Sequence, residues 1–145
     1  GGFGYTVAAT FCSLISHDWE DLIADDQQPE VWVGHIAMDT DQLEESVSFM
    51  LALGMRSIFK TADIAILELR AATHLVLIRK DHVEPGEASF DLMVDDLDIT
   101  HGRLTGAGVS PSAIEKGRIQ NRFSMRNPSG HTITINSSYA SGLRV

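Results

Sequence analysis

The chain is poor in the residues that mark several common protein classes. Its 145 residues include one cysteine, Cys12, so no disulfide can form within the chain, which fits a reducing compartment. Basic residues number 11 against 20 acidic ones, a formal charge of −9. That balance removes long-range attraction to nucleic acid or to an anionic membrane. No apolar run reaches the length that spans a bilayer. The mildly apolar stretch Tyr5 to Ile15 has no basic residue ahead of it and does not read as a secretory signal, so a cytoplasmic location is expected. Several signatures of chemistry are also missing: G-x-G-x-x-G, the P-loop, C-x-x-C and the G-x-S-x-G elbow. Cys12 has no patterned histidine partner and reads as structural or exposed.

What is present is an ordinary globular composition, 43% hydrophobic and 21% charged, on a length suited to one domain. Residues 1–30 read as an N-terminal arm. Within it Ile15, Trp19, Leu22 and Ile23 fall at helical spacing among acidic neighbours, before a break at Pro29. Residues 31–138 read as the domain and 139–145 as a tail. Val31 to Met38 is expected as a strand. Asp41 is expected to start a helix, with Glu44 as capping-box partner, Leu43, Val47, Met50 and Leu51 on one face, and Gly54 as C-cap. Strand-like runs follow at Met55 to Lys60, Ile64 to Leu69 and Thr73 to Lys80, then a linker at Asp81 to Glu87.

The same order then recurs. Ser89 to Val94 reads as a strand, and Asp96 or Asp98 can cap a helix that stops at Gly108. Further strands are expected around Ser112 to Glu115, Arg122 to Arg126 and His131 to Ser137. A shift of 54 residues places Gly54 on Gly108, Leu43 on Leu97, Met50 on Leu104 and His35 on Ser89. Later the shift reads as 57, placing His74 on His131 and Leu77 on Thr134. A repeat of this length is an architectural signal. It predicts an α+β fold of two βαβββ halves, about 31–80 and 88–138. Their mixed sheets would curve around a cavity, with the helices outside.

In detail, Gly34-His35-Ile36-Ala37, the Leu-Gly-Met ending of the first helix, Val94-Asp95-Asp96-Leu97-Asp98, and Asn127-Pro128-Ser129-Gly130-His131 resemble a known family. It is the glyoxalase / bleomycin-resistance / extradiol-dioxygenase superfamily, also called vicinal oxygen chelate, whose final hairpin is usually written Asp-Pro-x-Gly-Asn. The resemblance covers residues 31 to about 138. It implies that metal-using relatives hold a divalent ion on side chains from the first and last strands of each half. Carried over, those positions are His35, about Leu77, Ser89 and about Thr134, and only His35 keeps an ionisable ligand. One imidazole beside an aliphatic chain and two hydroxyls is not a transition-metal site, so no metal or other cofactor is expected.

The candidate cavity residues are His35, Ser89, Asp91, Met93, Phe123, Met125 and Thr134. No catalytic residue is assigned. His35 has two readings, a cavity hydrogen-bonding or acid/base group and a residue simply bonded to its neighbours. His74 and His131 read as strand-end residues and His101 as a packing residue on a helix. Asp95, Asp96 and Asp98 read as helix caps. The resemblance implies metal-independent binding of a small organic molecule, cationic or aromatic, by a homodimer. The alternative is a divalent-metal lyase, isomerase or ring-cleaving dioxygenase.

Overall fold

The computed structural model describes residues 27–138. The sequence-predicted arm helix, Cys12 and the tail lie outside the described residues. From Trp32 onward the described residues belong to one compact unit. The element order is β1 (His35–Thr40), α1 (Leu43–Leu53), β2 (Arg56–Lys60), β3 (Ile64–Glu68), a single 3-10 turn (Arg70–Ala72) and β4 (His74–Arg79). There follow β5 (Gly86–Glu87), β6 (Leu92–Val94), α2 (Leu97–Gly106), β7 (Arg122–Arg126) and β8 (His131–Ser137). None of the helices in the described residues is long and apolar enough to cross a membrane.

Each half makes its own mixed sheet. In the first the order is β1-β4-β3-β2, with β1 and β4 parallel and the other pairs antiparallel. In the second, β5 and β6 both lie parallel to β8, and β7 pairs antiparallel on its other side. Side chains alternate across a strand, so one face of each sheet is apolar. Ala65, Leu67, Leu75 and Leu77 in the first sheet, and Phe123, Met125, Ile133 and Ile135 in the second, are buried. Leu43, Val47, Met50 and Leu53 of α1 and Leu97 and Leu104 of α2 complete one continuous core.

The helix ends repeat atom for atom. Gly54 and Gly108 take φ of 115° and 85°, a left-handed conformation that favours glycine. The Gly54 and Met55 amides donate to Leu51 and Met50 carbonyls, and the Gly108 and Val109 amides donate to Thr105 and Leu104. The helix starts differ. Asp96 caps α2, its Oδ1 accepting the Ile99 amide at 3.0 Å. The predicted Asp41–Glu44 capping box does not form. Gln42 is the N-cap and makes no side-chain cap bond. Instead Thr40 Oγ1 accepts the Gln42 amide at 3.0 Å and meets Ser46 Oγ at 2.7 Å, so a buried hydroxyl pair fixes that entry.

Other boundaries also moved. Val31 to Val33 are exposed and β1 begins at His35, because those β-branched and aromatic residues have no neighbouring strand. Leu51 is exposed and Leu53 takes its place in the core. The predicted strand 112–115 is reduced to a bridge between Glu115 and Arg122. The predicted strand Ser89 to Val94 is shortened to Leu92–Val94, and a further short strand, β5, lies within the predicted linker. Glu87 pairs with Thr132 and Leu92 with Ile135, so two extra residues bulge out between β5 and β6.

Candidate functional site

Four polar side chains form one rung across the first sheet, in strand order. The register sets Arg56 opposite Glu68, Glu68 opposite His74, and His74 opposite His35. Cross-strand neighbours sit close enough to bond directly. Arg56 Nε donates to Glu68 Oε1 at 2.6 Å, reinforced by a second guanidinium nitrogen on the same oxygen. His74 Nε2 lies 3.0 Å from Glu68 Oε2. The His35 and His74 ring centroids are 5.6 Å apart at a 41° tilt. The Arg56 guanidinium, and after it His74, hold the Glu68 carboxyl below its ordinary value. An ionised Glu68 therefore accepts the His74 Nε2–H. Sequence reading singled out His35 and missed this rung. The signal that could have found it is the hairpin register, which needs the turn at Arg70 to Ala72 to be known first.

In the second half three sequence-predicted residues come together. Ser89, Asp91 and Thr134 line a depression of about 380 Å³ with Glu87, Ala88 and Phe90. Its formal charges are two carboxylates, with no base. The bulge creates it, by leaving residues 89–91 unpaired with β8. The other candidates lie elsewhere. Met93 is 60% exposed, and its Sδ accepts from Gln120 Nε2 at 3.4 Å. Phe123 and Met125 belong to the core, where period-two apolar residues of a one-face-buried strand belong, and Met125 also lines a separate cleft of about 650 Å³. Phe123 packs edge-on against His101 at 5.0 Å, and His101 Nε2 bonds the Ser112 carbonyl, a packing role.

Burial corrects the register of the repeat in its last two strands. A shift of 58 maps Ala65, Leu67, Leu75 and Leu77 onto Phe123, Met125, Ile133 and Ile135, all buried. The counterpart of Thr134 is then Val76, and Leu77 points into the core. A one-residue slip in a strand turns every side chain to the other face. The mapping of a ligand position onto Leu77 was therefore wrong. Counting back from α2, Ser89 matches His35; counting along β8, Glu87 does, because the bulge absorbs two residues. His35, Val76, Ser89 and Thr134 do not fit a divalent transition metal. Nor does any group of three His, Cys, Asp or Glu side chains among the described residues make such a site.

No protein-family model matches the sequence, and no curated protein resembles it by sequence. Solved structures do match in shape. A lactoylglutathione lyase from Agrobacterium tumefaciens is 15% identical, with a TM-score of 0.65 over 81% of this chain and 100% of its own. A bleomycin-binding protein solved with bleomycin is 16% identical, with a TM-score of 0.60 over 74% of this chain and 98% of its own. A glyoxalase / bleomycin-resistance / dioxygenase superfamily member from Sphaerobacter thermophilus is 19% identical, with a TM-score of 0.63 over 74% and 98%. The helix–strand order, the repeated glycine caps and these likenesses agree, and the chain has the fold of the glyoxalase / bleomycin-resistance / dioxygenase superfamily.

Proposed function

We propose that this chain is a small-molecule-binding domain that acts without the divalent metal of its metal-using fold relatives. The observation that carries the reading is the donor set, in which Val76 and Thr134 stand where ionisable ligands would be needed and the counterpart of His35 is Ser89 by one count and Glu87 by the other, which leaves at most two ionisable groups. The acidic depression at Glu87, Ser89 and Asp91 suits a cationic or neutral aromatic guest. A protein of this fold that binds bleomycin supports the same class of function. In this reading the domain is a cytoplasmic homodimer, and a guest that also reaches the first sheet would meet the exposed ring of His35 there.

A thermal-shift screen of hydrophobic cations, aromatic diols and thiol conjugates tests it, because a binder of the native state raises Tm by mass action. We expect a hit whose affinity is unchanged by EDTA. Asp91→Ala should weaken a cationic hit by roughly 1.5–3 kcal/mol, the value of a hydrogen bond to a charged group. Turnover of a hit only on addition of Fe²⁺, Mn²⁺, Ni²⁺ or Zn²⁺ would establish the metal-enzyme alternative instead.

A further inference from the structure

A second cleft, of about 650 Å³, opens beside α1 and the edge of the second sheet. Its volume is in the range that encloses a small organic molecule. Phe49 and Val109 supply an apolar floor. Ser110, Ser124 and Thr132 also line it, and none of their hydroxyls is engaged in a hydrogen bond among the described residues. The only formal charge in the lining is Arg126. The chain carries 20 acidic and 11 basic residues, so a lining with one cation and no carboxylate departs from its average surface.

Arg126 also lacks an ion-pair partner among the described residues, as do Lys80, Lys116 and Arg118, whereas Arg56, Arg70, Arg79, Arg122 and Lys60 each face a carboxylate. It pairs across the strands with Thr132, as Glu68 pairs with His74 in the first half, so the repeat has put a cation where the other half holds an anion. A guanidinium presents a planar fork of N–H donors that matches a carboxylate in a bidentate pair.

We infer that this cleft binds a small organic carboxylate, its apolar body on Phe49 and Val109 and its carboxylate on Arg126 and the neighbouring hydroxyls. This site shares no residue with the acidic depression. Titration calorimetry on the full chain with 2-naphthoate, its neutral amide and inorganic phosphate tests the assignment. Saturable naphthoate binding is expected, with the amide at least about tenfold weaker, the worth of roughly 1.4 kcal/mol. Naphthoate affinity should fall as salt is raised. Arg126→Gln should abolish the preference for carboxylate over amide, and Arg126→Lys should keep part of it. Arg118→Gln, at an exposed cation that lines neither site, should leave it unchanged. Four results would each overturn the inference: no naphthoate binding, equal binding of acid and amide, phosphate binding as well as naphthoate, or an unaltered preference in a folded Arg126→Gln protein.

Discussion

At the scale of single residues, two side chains do most of the organising around the open faces. Asn127 is buried at the turn before β8. Its Oδ1 accepts the Ser129 amide at 3.2 Å and the His131 amide at 2.8 Å, and its Nδ2 reaches Met38 Sδ at 3.0 Å. One amide thus closes the hairpin and ties it to the first half. The family pattern has Asp in this place; Asn keeps the acceptor without burying a charge. Glu68 is the second organiser, through Arg56 and His74. Its carboxyl titrates lower in the fold than in the open chain. Ionisation of Glu68 therefore stabilises the fold above the ordinary glutamate value, and that contribution is lost as pH falls through the depressed value. Glu68→Gln should remove this part of the acid sensitivity. Melting curves from pH 7 down to pH 3 should show a smaller fall in Tm for the variant than for the parent. An equal fall in both would show that the rung contributes nothing to linkage.

At the scale of elements, the two hairpins make the most instructive comparison. The shift of 58 that aligns the buried strands also sets Ala72 on Gly130. Gly130 has φ of 91°, and Ala72 copies the left-handed conformation at 61°, with Ala71 beside it at 59°. A side chain there costs about 1–2 kcal/mol, against roughly 0.5–1 kcal/mol for the added freedom of glycine in the unfolded chain. Ala72→Gly should therefore raise stability by about 0.5–1 kcal/mol, read as a higher urea midpoint at unchanged slope. A lower midpoint would mean that the turn is set by packing. The same hairpins show what the sequence could disclose. Helix caps at Gly54 and Gly108 were legible because positive φ selects glycine so strongly. The register of β4 was not, because Leu75, Val76, Leu77 and Ile78 are all aliphatic and no polar residue marks a face. Hence the misplacement at Leu77. The bulge at 88–91 was hidden for a related reason, since Ala-Ser-Phe-Asp reads as a continuation of the strand.

At the scale of the whole molecule, the repeat was legible and the surface chemistry was not, because rungs and clefts depend on which strands become neighbours. Both sheets leave a face open, and the edge strand β2 is exposed along its whole length, with Ile58 and Phe59 about half exposed. Uncovered edges and apolar surface favour self-association. We expect a homodimer by light scattering at micromolar concentration, and Phe59→Glu should shift it toward monomer. A monomer in the parent would count against that part of the proposed function. The strand order also governs how the chain assembles. β1 finds its parallel partner only when His74 arrives, 39 residues after His35, and β5 waits 45 residues, from Gly86 to His131. The first strand of each half thus waits for the last one to complete its ladder. Loop-closure entropy must be met before that pairing gives any return, which slows folding. Until then the apolar side of β1, carrying Met38, has only a growing helix to lean on. An apolar strand left uncovered in this way is the kind of surface that associates wrongly during synthesis.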